Sequence, residues 1–238
     1  MPVRFFSSKS FDMDQGVSQV YATHLVKTLQ ILFFQFLFTF GSVCLVAFNE
    51  TVRTFVMNAL LQMITIGGLG GLFTILYMQF IADRKTLTQL AIFTIFESII
   101  VCTVPCMYGQ EVVLMAMLGM IGIVCGLGMY AMTTSNDHTG LGGILLSGLT
   151  CLLMMSIFNM FLGSEIVRIF ELYVGILVFF AYVVYDVQYF LSERCTKLAL
   201  VREDLHIDAA INIYLDAISI FMRLLEIIDR NKKSSKND

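Results

Sequence analysis

Residues 182–190 read YVVYDVQYF and close a long apolar stretch that contains one aspartate, Asp186. The whole chain of 238 residues shares this character: 58% of its residues are hydrophobic, 14% are charged, and its mean hydropathy is +0.81. A water-soluble domain of this length cannot bury so much apolar surface, because too many of its residues must lie on the outside. The composition therefore predicts an integral membrane protein, and the predicted partner is the lipid bilayer around it.

Uncharged runs predict the membrane-spanning helices, since a helix needs about 20 apolar residues to cross hydrocarbon. Four runs contain no Asp, Glu, Lys or Arg: 29–48, 55–82, 112–132 and 141–164. Residues 87–108 add a fifth span that contains only Glu97, and residues 166–191 add a sixth that contains Arg168, Glu171 and Asp186. Residues 209–228 form a seventh, more polar stretch.

The predicted fold is all-α, with a single membrane domain at residues 29–228 between an N-terminal segment, 1–28, and a basic C-terminal tail, 229–238. Basic residues concentrate before the first span, after the second and after the sixth: Arg4, Lys9, Lys27, Arg84, Lys85, Arg194, Lys197 and Arg202. Because cytosolic loops carry such an excess, we expect a cytosolic N-terminus. The tail is equally basic, so the seventh stretch either crosses against this rule or enters and returns as a re-entrant helix. The charge rule favours a cytosolic tail.

The composition also excludes some classes of site and partner. The basic residues form no continuous stripe, so no nucleic-acid partner is expected. Six cysteines lie mostly within apolar runs without a C-x-x-C pair, which favours core packing over a disulfide or a metal site. We expect no cofactor.

Polar residues form one face of the seventh stretch and a matching row on the sixth span. At steps of three or four residues, the seventh stretch has Asp208, Asn212, Asp216, Ser219, Arg223 and Glu226. The sixth span has, at similar steps, Tyr182, Asp186, Tyr189 and Glu193. This spacing places each set on one helix face, and lipid strongly disfavours such a face. We therefore expect the two rows to share one polar seam, in which Asp186 and Asp216 could meet.

A carboxylate at membrane depth is unfavourable unless it is neutralised, paired or hydrated. If Asp186 and Asp216 meet, one proton shared between them is the low-energy state, because its loss brings two like charges together. Such a pair is expected to titrate as a unit near neutral pH and to act as a proton switch. The alternative is structural: each aspartate only caps a helix or pairs with a neighbour such as Arg223.

Three segments resemble a known family. LGGILLSGL (141–149), ELYVGILVFFAYVVYDVQ (171–188) and INIYLDAISIF (211–221) resemble, in this order, the signature segments of the transmembrane Bax-inhibitor-motif proteins, and most of all the endoplasmic-reticulum Bax inhibitor branch. The resemblance covers residues 141–228 well and the earlier spans mainly by hydropathy. Val187 stands where the family motif usually has Thr, and Glu97 is more similar to the Golgi and lifeguard branches.

This resemblance implies six transmembrane helices around a seventh, polar helix. It also implies a pH-sensitive calcium leak in the membrane of the endoplasmic reticulum, with the Golgi as the other candidate compartment, and suppression of cell death. The implied partners are calcium and apoptosis-regulating membrane proteins. The family's two pore-lining aspartates correspond to Asp186 and Asp216, and their hard oxygen atoms suit transient binding of Ca²⁺. Further expected pore residues are Glu97, Asn212, Arg223, Tyr182 and Tyr189.

Two other classes remain open. A non-conducting membrane adaptor would regulate apoptosis factors by protein contacts, with the basic tail NKKSSKND (231–238) as its candidate surface. An intramembrane aspartyl protease would also use two aspartates in adjacent spans, the first of them after a tyrosine. The glycine that flanks the second aspartate of those enzymes is missing beside Asp216, so we expect no enzymatic activity.

Overall fold

The computed structural model describes residues 5–82, 84–134, 136–191 and 204–235. These residues form nine α-helices and a 3-10 turn at Thr139–Leu141, and no β-strand occurs among them. The helices are Phe5–Phe48 (α1), Glu50–Asn58 (α2), Leu60–Phe80 (α3), Leu87–Val101 (α4), Val104–Met107 (α5), Gln110–Thr133 (α6), Gly142–Leu162 (α7), Glu165–Leu191 (α8) and Leu205–Ser234 (α9).

Six helical regions are long and apolar enough to cross a membrane, and they correspond to the first six predicted spans. They are Thr23–Phe48, Leu60–Phe80, Leu87–Met107, Gln110–Thr133, Thr139–Leu162 and Glu165–Phe190. Much of their apolar surface faces outward; Phe80, for example, is 82% exposed. Such a surface is stable only in lipid. The predicted all-α integral membrane fold is confirmed.

The second span begins later than the sequence predicts. Asn49 caps α2, because its side-chain oxygen accepts hydrogen bonds from two backbone N–H groups of the first turn, at 3.1 and 3.2 Å. The uncharged run 55–82 is divided between α2 and α3, with Ala59 between them. Val56 is buried and holds α2 against the ends of α1 and α4. The predicted start at residue 55 is therefore wrong, and the span begins at Leu60.

Local signals also set the ends of α4. Thr86 and Gln89 form a capping box, in which the Thr86 hydroxyl accepts from the Gln89 N–H (3.3 Å) and the Gln89 side-chain oxygen accepts from the Thr86 N–H (3.0 Å). Pro105 lies in the first turn of α5, where its missing N–H removes no helical hydrogen bond. The chain therefore leaves α4 and turns through α5 before α6 begins.

The central helix of the bundle is α9. It packs against α8, α6 and α1 and also contacts α4, while α3 packs on α4 and α7 packs on α8. Apolar residues of α9 fill the core: Ile211, Tyr214, Ile220, Phe221 and Leu225 are almost fully buried. The main contacts of α9 are thus with four of the six apolar spans, and α3 and α7 pack mainly on α4 and α8.

The two ends of α9 lie at opposite ends of the bundle. Near its start, Asp208 pairs with Lys85, which lies between α3 and α4. Near its end, Lys232 pairs with Glu111 in the first turn of α6. The helix is uninterrupted over 30 residues, about 45 Å at 1.5 Å per residue. Four residues named in the sequence predictions between α8 and α9 lie outside the described residues: Glu193, Arg194, Lys197 and Arg202.

Candidate functional site

The polar face of α9 lies against α8, and it brings Asp186 and Asp216 together. Each aspartate is only 7% exposed, and their side chains are close enough to share a hydrogen bond. Two carboxylates have no proton to donate, so this bond requires that one carboxyl group carries a proton and donates it to the other. The second oxygen of Asp216, Oδ2, is buried and has no hydrogen-bond partner within the described part of the chain. The two side chains lie side by side in the seam, and their action as a proton switch stays a prediction.

A polar cavity of about 370 Å³ lies at one end of this seam, near the start of α9. Lys85, Asp208, Asn212 and Tyr189 line it, so we call it the Lys85 cavity. The ammonium group of Lys85 pairs with the Asp208 carboxylate, and these side chains are only 8% and 17% exposed. Asn212 lies one helical turn from the aspartate pair. The Lys85 cavity therefore reaches from the end of the bundle to within a turn of Asp216.

A second polar cavity, of about 520 Å³, lies at the opposite end of the seam. Five charged residues line this Arg168 cavity: Glu165, Arg168, Glu171, Arg223 and Glu226. Nε of Arg168 donates to the Glu226 carboxylate at 2.8 Å. Arg230 also pairs with Glu165 and Glu226, so three guanidinium groups and three carboxylates balance each other at this cavity.

Arg223 stands between the Arg168 cavity and the aspartate pair. Its guanidinium carbon lies 4.5 Å from the centre of the Phe179 ring, and its Nη1 donates to the backbone oxygen of Ser219 at 3.4 Å. The structural alternative, in which Arg223 pairs with Asp216, does not occur among the contacts of the described residues. In sequence order, α9 carries Asp216, Ser219, Arg223 and Glu226 from the pair to the cavity.

The other predicted pore residues are divided between two places. Tyr182 lies in the seam, with its ring 6.0 Å from that of Phe179. Tyr189 stacks on Tyr185 at 5.7 Å between ring centres and lines the Lys85 cavity. Glu97, by contrast, lies on α4 where it faces α3, and one of its carboxylate oxygens would be 3.3 Å from a Cβ at Gly71. The structure brings Tyr182 and Tyr189 to the seam and does not bring Glu97 there.

A second buried polar cluster was not predicted from the sequence. The Thr39 hydroxyl lies 2.9 Å from that of Ser98 and 2.8 Å from that of Tyr214, so hydrogen bonds join α1, α4 and α9. In the next turn, Nε2 of Gln35 donates to the Thr94 hydroxyl at 3.0 Å. Gln35 and Thr39 on α1, like Thr94 and Ser98 on α4, are four residues apart, so each pair marks one helix face. This spacing was a sequence signal that our predictions did not use, whereas Tyr214 lies outside the polar row of α9.

Gln188, the last residue of the YDVQ motif, was also missed. Its side-chain oxygen accepts from the His138 N–H at 2.7 Å, and its Nε2 donates to the carbonyl oxygens of Asn136 (2.9 Å) and Ala131 (3.3 Å). Gln188 therefore attaches the segment that connects α6 and α7 to helix α8. In this connection, hydrogen bonds from Thr139 hold the pKa of the exposed Asp137 carboxyl below its usual value.

No three His, Cys, Asp or Glu side chains converge as metal ligands in the ranges that the structure describes. Asp186 and Asp216 therefore offer two carboxyl groups to a cation, fewer than the six to eight oxygen ligands that Ca²⁺ takes. A Ca²⁺ ion at this pair would keep much of its water, which suits transient binding. Transient calcium ligation by these residues stays a prediction.

The fold and the seam define a polytopic α-helical membrane protein with a polar central helix. The family described as "Inhibitor of apoptosis-promoting Bax1" matches residues 21–233. Because this match covers most of the chain, the protein belongs to that anti-apoptotic family. The resemblance predicted from the three sequence segments is confirmed.

Individual relatives come from several branches of the family. The chain is 28% identical to mouse protein lifeguard 4 over 212 residues, which cover 88% of this chain and 86% of the relative. It is 26% identical to a Golgi anti-apoptotic protein of Vaccinia virus (strain Lister) over 210 residues, again 88% and 86% of the two chains. It is 29% identical to Bax inhibitor 1 of Drosophila melanogaster over 134 residues, 56% and 53% of the two chains.

Proposed function

We propose that this protein is a pH-sensitive calcium leak channel of an intracellular membrane and that it suppresses cell death through this leak. The observation that carries the proposal is the contact between Asp186 and Asp216, buried in a seam with a polar cavity at each end. Buried acids in membrane-spanning helices are costly and usually mark an ion or proton pathway. A packing role alone gives no reason for two carboxyl groups to face each other with cavities on both sides.

The mechanism depends on the number of protons that the pair holds. With one shared proton, the hydrogen bond between Asp186 and Asp216 joins α8 to α9. Loss of this proton replaces the hydrogen bond with repulsion between two carboxylates, and gain of a second proton leaves both groups neutral. Either change alters the α8–α9 contact and so the continuity of the hydrated path. Ca²⁺ is a hard cation that favours the deprotonated oxygens.

The compartment and the orientation belong to the same proposal. The endoplasmic reticulum or the Golgi is the site of action, which agrees with the name of the viral Golgi relative. The N-terminus lies in the cytosol, since the basic residues next to the first and second spans, such as Lys27 and Lys85, favour that side. The anti-apoptotic effect then follows from a lowered calcium content of the store.

The test is calcium flux in liposomes that contain the purified protein, recorded over a series of pH values. We expect a flux with one pH transition, and we expect Asp186→Asn and Asp216→Asn to shift or abolish this transition. Glu50→Gln, which removes an exposed carboxylate in the first turn of α2, is the matched control and should behave like the unchanged protein. Size-exclusion profiles establish that each variant is folded.

Two other outcomes would replace the proposal. No flux at any pH from folded protein would favour a non-conducting adaptor that regulates apoptosis factors by protein contacts. Cleavage of a helical substrate that is lost in Asp186→Asn would favour an aspartyl protease, in which the carboxyl pair activates water. Flux that is independent of pH and of both aspartates would leave a channel but remove the proton switch.

A further inference from the structure

Arg223 on α9 contacts Phe179 on α8. Each of these two residues lies the same number of residues from the aspartate on its own helix. Phe179 precedes Asp186 by seven residues on α8, and Arg223 follows Asp216 by seven residues on α9. Because the two helices run antiparallel, both steps lead in the same direction, toward the Arg168 cavity. Two helical turns, about 10 Å, separate the Arg223–Phe179 contact from the pair.

A glycine on α8, which has no side chain, leaves space for the Arg223 guanidinium group beside Phe179. Gly175 lies one turn before Phe179, and a Cβ at Gly175 would lie 2.3 Å from Nε and 2.9 Å from Nη2 of Arg223. No real side chain tolerates such a distance, so only glycine permits this position of the guanidinium group. The guanidinium group is thus held between the bare backbone of Gly175 and the face of Phe179.

Two carboxylates of the Arg168 cavity, Glu171 and Glu226, attract the charge of Arg223, but the hydrogen-bonding capacity of its guanidinium group is incompletely satisfied. Nε is buried and has no hydrogen-bond partner among the residues that the structure describes. Nη1 has only a long hydrogen bond, 3.4 Å, to the neutral carbonyl oxygen of Ser219. A positive charge that is half-buried repels a divalent cation, because the surrounding medium screens it less than bulk water does.

We propose that Arg223 is a charged plug, held by Gly175 and Phe179, that separates the Arg168 cavity from the aspartate pair and limits the passage of cations. This inference rests on the proposed calcium leak. Opening requires the guanidinium group to leave its slot, and Glu171, an acid of the Arg168 cavity that attracts Arg223, offers a favourable position for it. The Arg168 cavity is then the vestibule through which cations reach the plug.

Calcium flux tests the plug directly. Arg223→Gln removes the charge and should raise the flux at least about tenfold at a fixed pH, because it removes the repulsion from the narrow part of the path. Gly175→Ala keeps the charge but expels the side chain from its slot, and it should raise the flux as well. Arg168→Gln removes a charge from the rim of the same cavity, where the side chain is 55% exposed, and should change the flux far less.

A second alanine variant controls for the change of glycine itself. A Cβ at Gly41, within α1, would meet no atom closer than 4 Å, so Gly41→Ala should leave the flux unchanged. Equal flux in Arg223→Gln, Gly175→Ala and the unchanged protein, with a measurable leak in all three, would overturn the plug and leave the channel standing.

Chemical labelling tests the plug without any calcium flux. Ser219 lies between Arg223 and Asp216 on the polar face of α9, and Ser219→Cys, in a chain without the native cysteines, places a thiol behind the plug. We expect a cationic methanethiosulfonate to label this thiol slowly, and about tenfold faster when Arg223→Gln is added. If Arg223→Gln speeds labelling but the protein conducts no calcium, the plug would be supported and the proposed calcium leak would be contradicted. An unchanged labelling rate would overturn the plug even if the protein conducts.

Discussion

The hydroxyl groups of Thr39 and Tyr214 lie 2.8 Å apart and share a hydrogen bond in the middle of the bundle. Tyr214 is completely buried, and this bond connects the central helix α9 to α1. Tyr214→Phe keeps the ring and removes the hydroxyl, so it should lower the free energy of unfolding by about 1 kcal/mol. Unfolding in a detergent titration measures this loss. Tyr173→Phe, at a position 48% exposed, is the control and should have no effect.

This contact marks the difference between what the sequence could and could not predict. The row that contains Asp208, Asp216 and Arg223 was predictable because regular spacing of polar residues identifies a helix face, and lipid forces that face inward. The meeting of Asp186 and Asp216 followed from two such rows. Thr39 shares its helix face with Gln35, but Tyr214 lies outside the polar row of α9, and 175 residues separate Thr39 and Tyr214 along the chain, so only the packing of three helices identifies them as partners.

The position of Glu97 shows a second limit. Its carboxyl group lies inside an apolar span, as that of Asp186 does, and composition alone treats both as pore candidates. Asp186 belongs to a row with Tyr182 and Tyr189, whereas Glu97 has no polar residue one turn before or after it except Thr94. The structure turns Glu97 toward Gly71 on α3. The rotation of α4 about its own axis decides which neighbour Glu97 faces. Hydropathy does not predict this rotation when the span is uniformly apolar.

The ion pair between Lys85 and Asp208 should contribute to stability, because both side chains are largely buried. Lys85→Gln leaves the Asp208 carboxylate without this partner, and we expect a loss of about 2 to 4 kcal/mol in the free energy of unfolding. The double variant Lys85→Gln/Asp208→Asn removes both charges and should recover most of the loss. A double variant that is no more stable than Lys85→Gln alone would mean that the pair is not coupled.

The ends of α9 predict the position of the C-terminal tail. Asp208 contacts Lys85 at one end of the bundle, and Lys232 contacts Glu111 at the other. We therefore expect residues after α9 to emerge on the side of the membrane opposite to Arg84, against the cytosolic tail that the charge rule favours. Single cysteines at the exposed positions Arg84 and Ser235, labelled with an impermeant reagent in sealed vesicles, should react from opposite sides. Reaction of both from one side would instead require a re-entrant path.

Gln188 should control the order of the connection between α6 and α7. Gln188→Leu removes its hydrogen bonds to His138, Asn136 and Ala131, and amide hydrogen exchange in residues 134–141 should become faster by tenfold or more. Gln188→Glu keeps the acceptor for the His138 N–H but loses the donor to the two carbonyl groups, so an intermediate rate is expected. Exchange elsewhere in α8 should stay unchanged; a general increase would mean that the helix itself is destabilised.

Calcium and protons should compete for the aspartate pair. Ca²⁺ binds the deprotonated carboxylates of Asp186 and Asp216, so a higher calcium concentration stabilises the state with fewer protons. By linkage, the midpoint of the pH transition in flux must then move to lower pH, by up to about one unit for each tenfold rise in calcium if one proton is displaced. Mg²⁺ should shift the midpoint less, because it gives up its water reluctantly and demands octahedral geometry. If the pH midpoint of the flux does not change with calcium concentration, or moves to higher pH, the proton switch is separate from the ion pathway. Ca²⁺ would then bind elsewhere in the bundle.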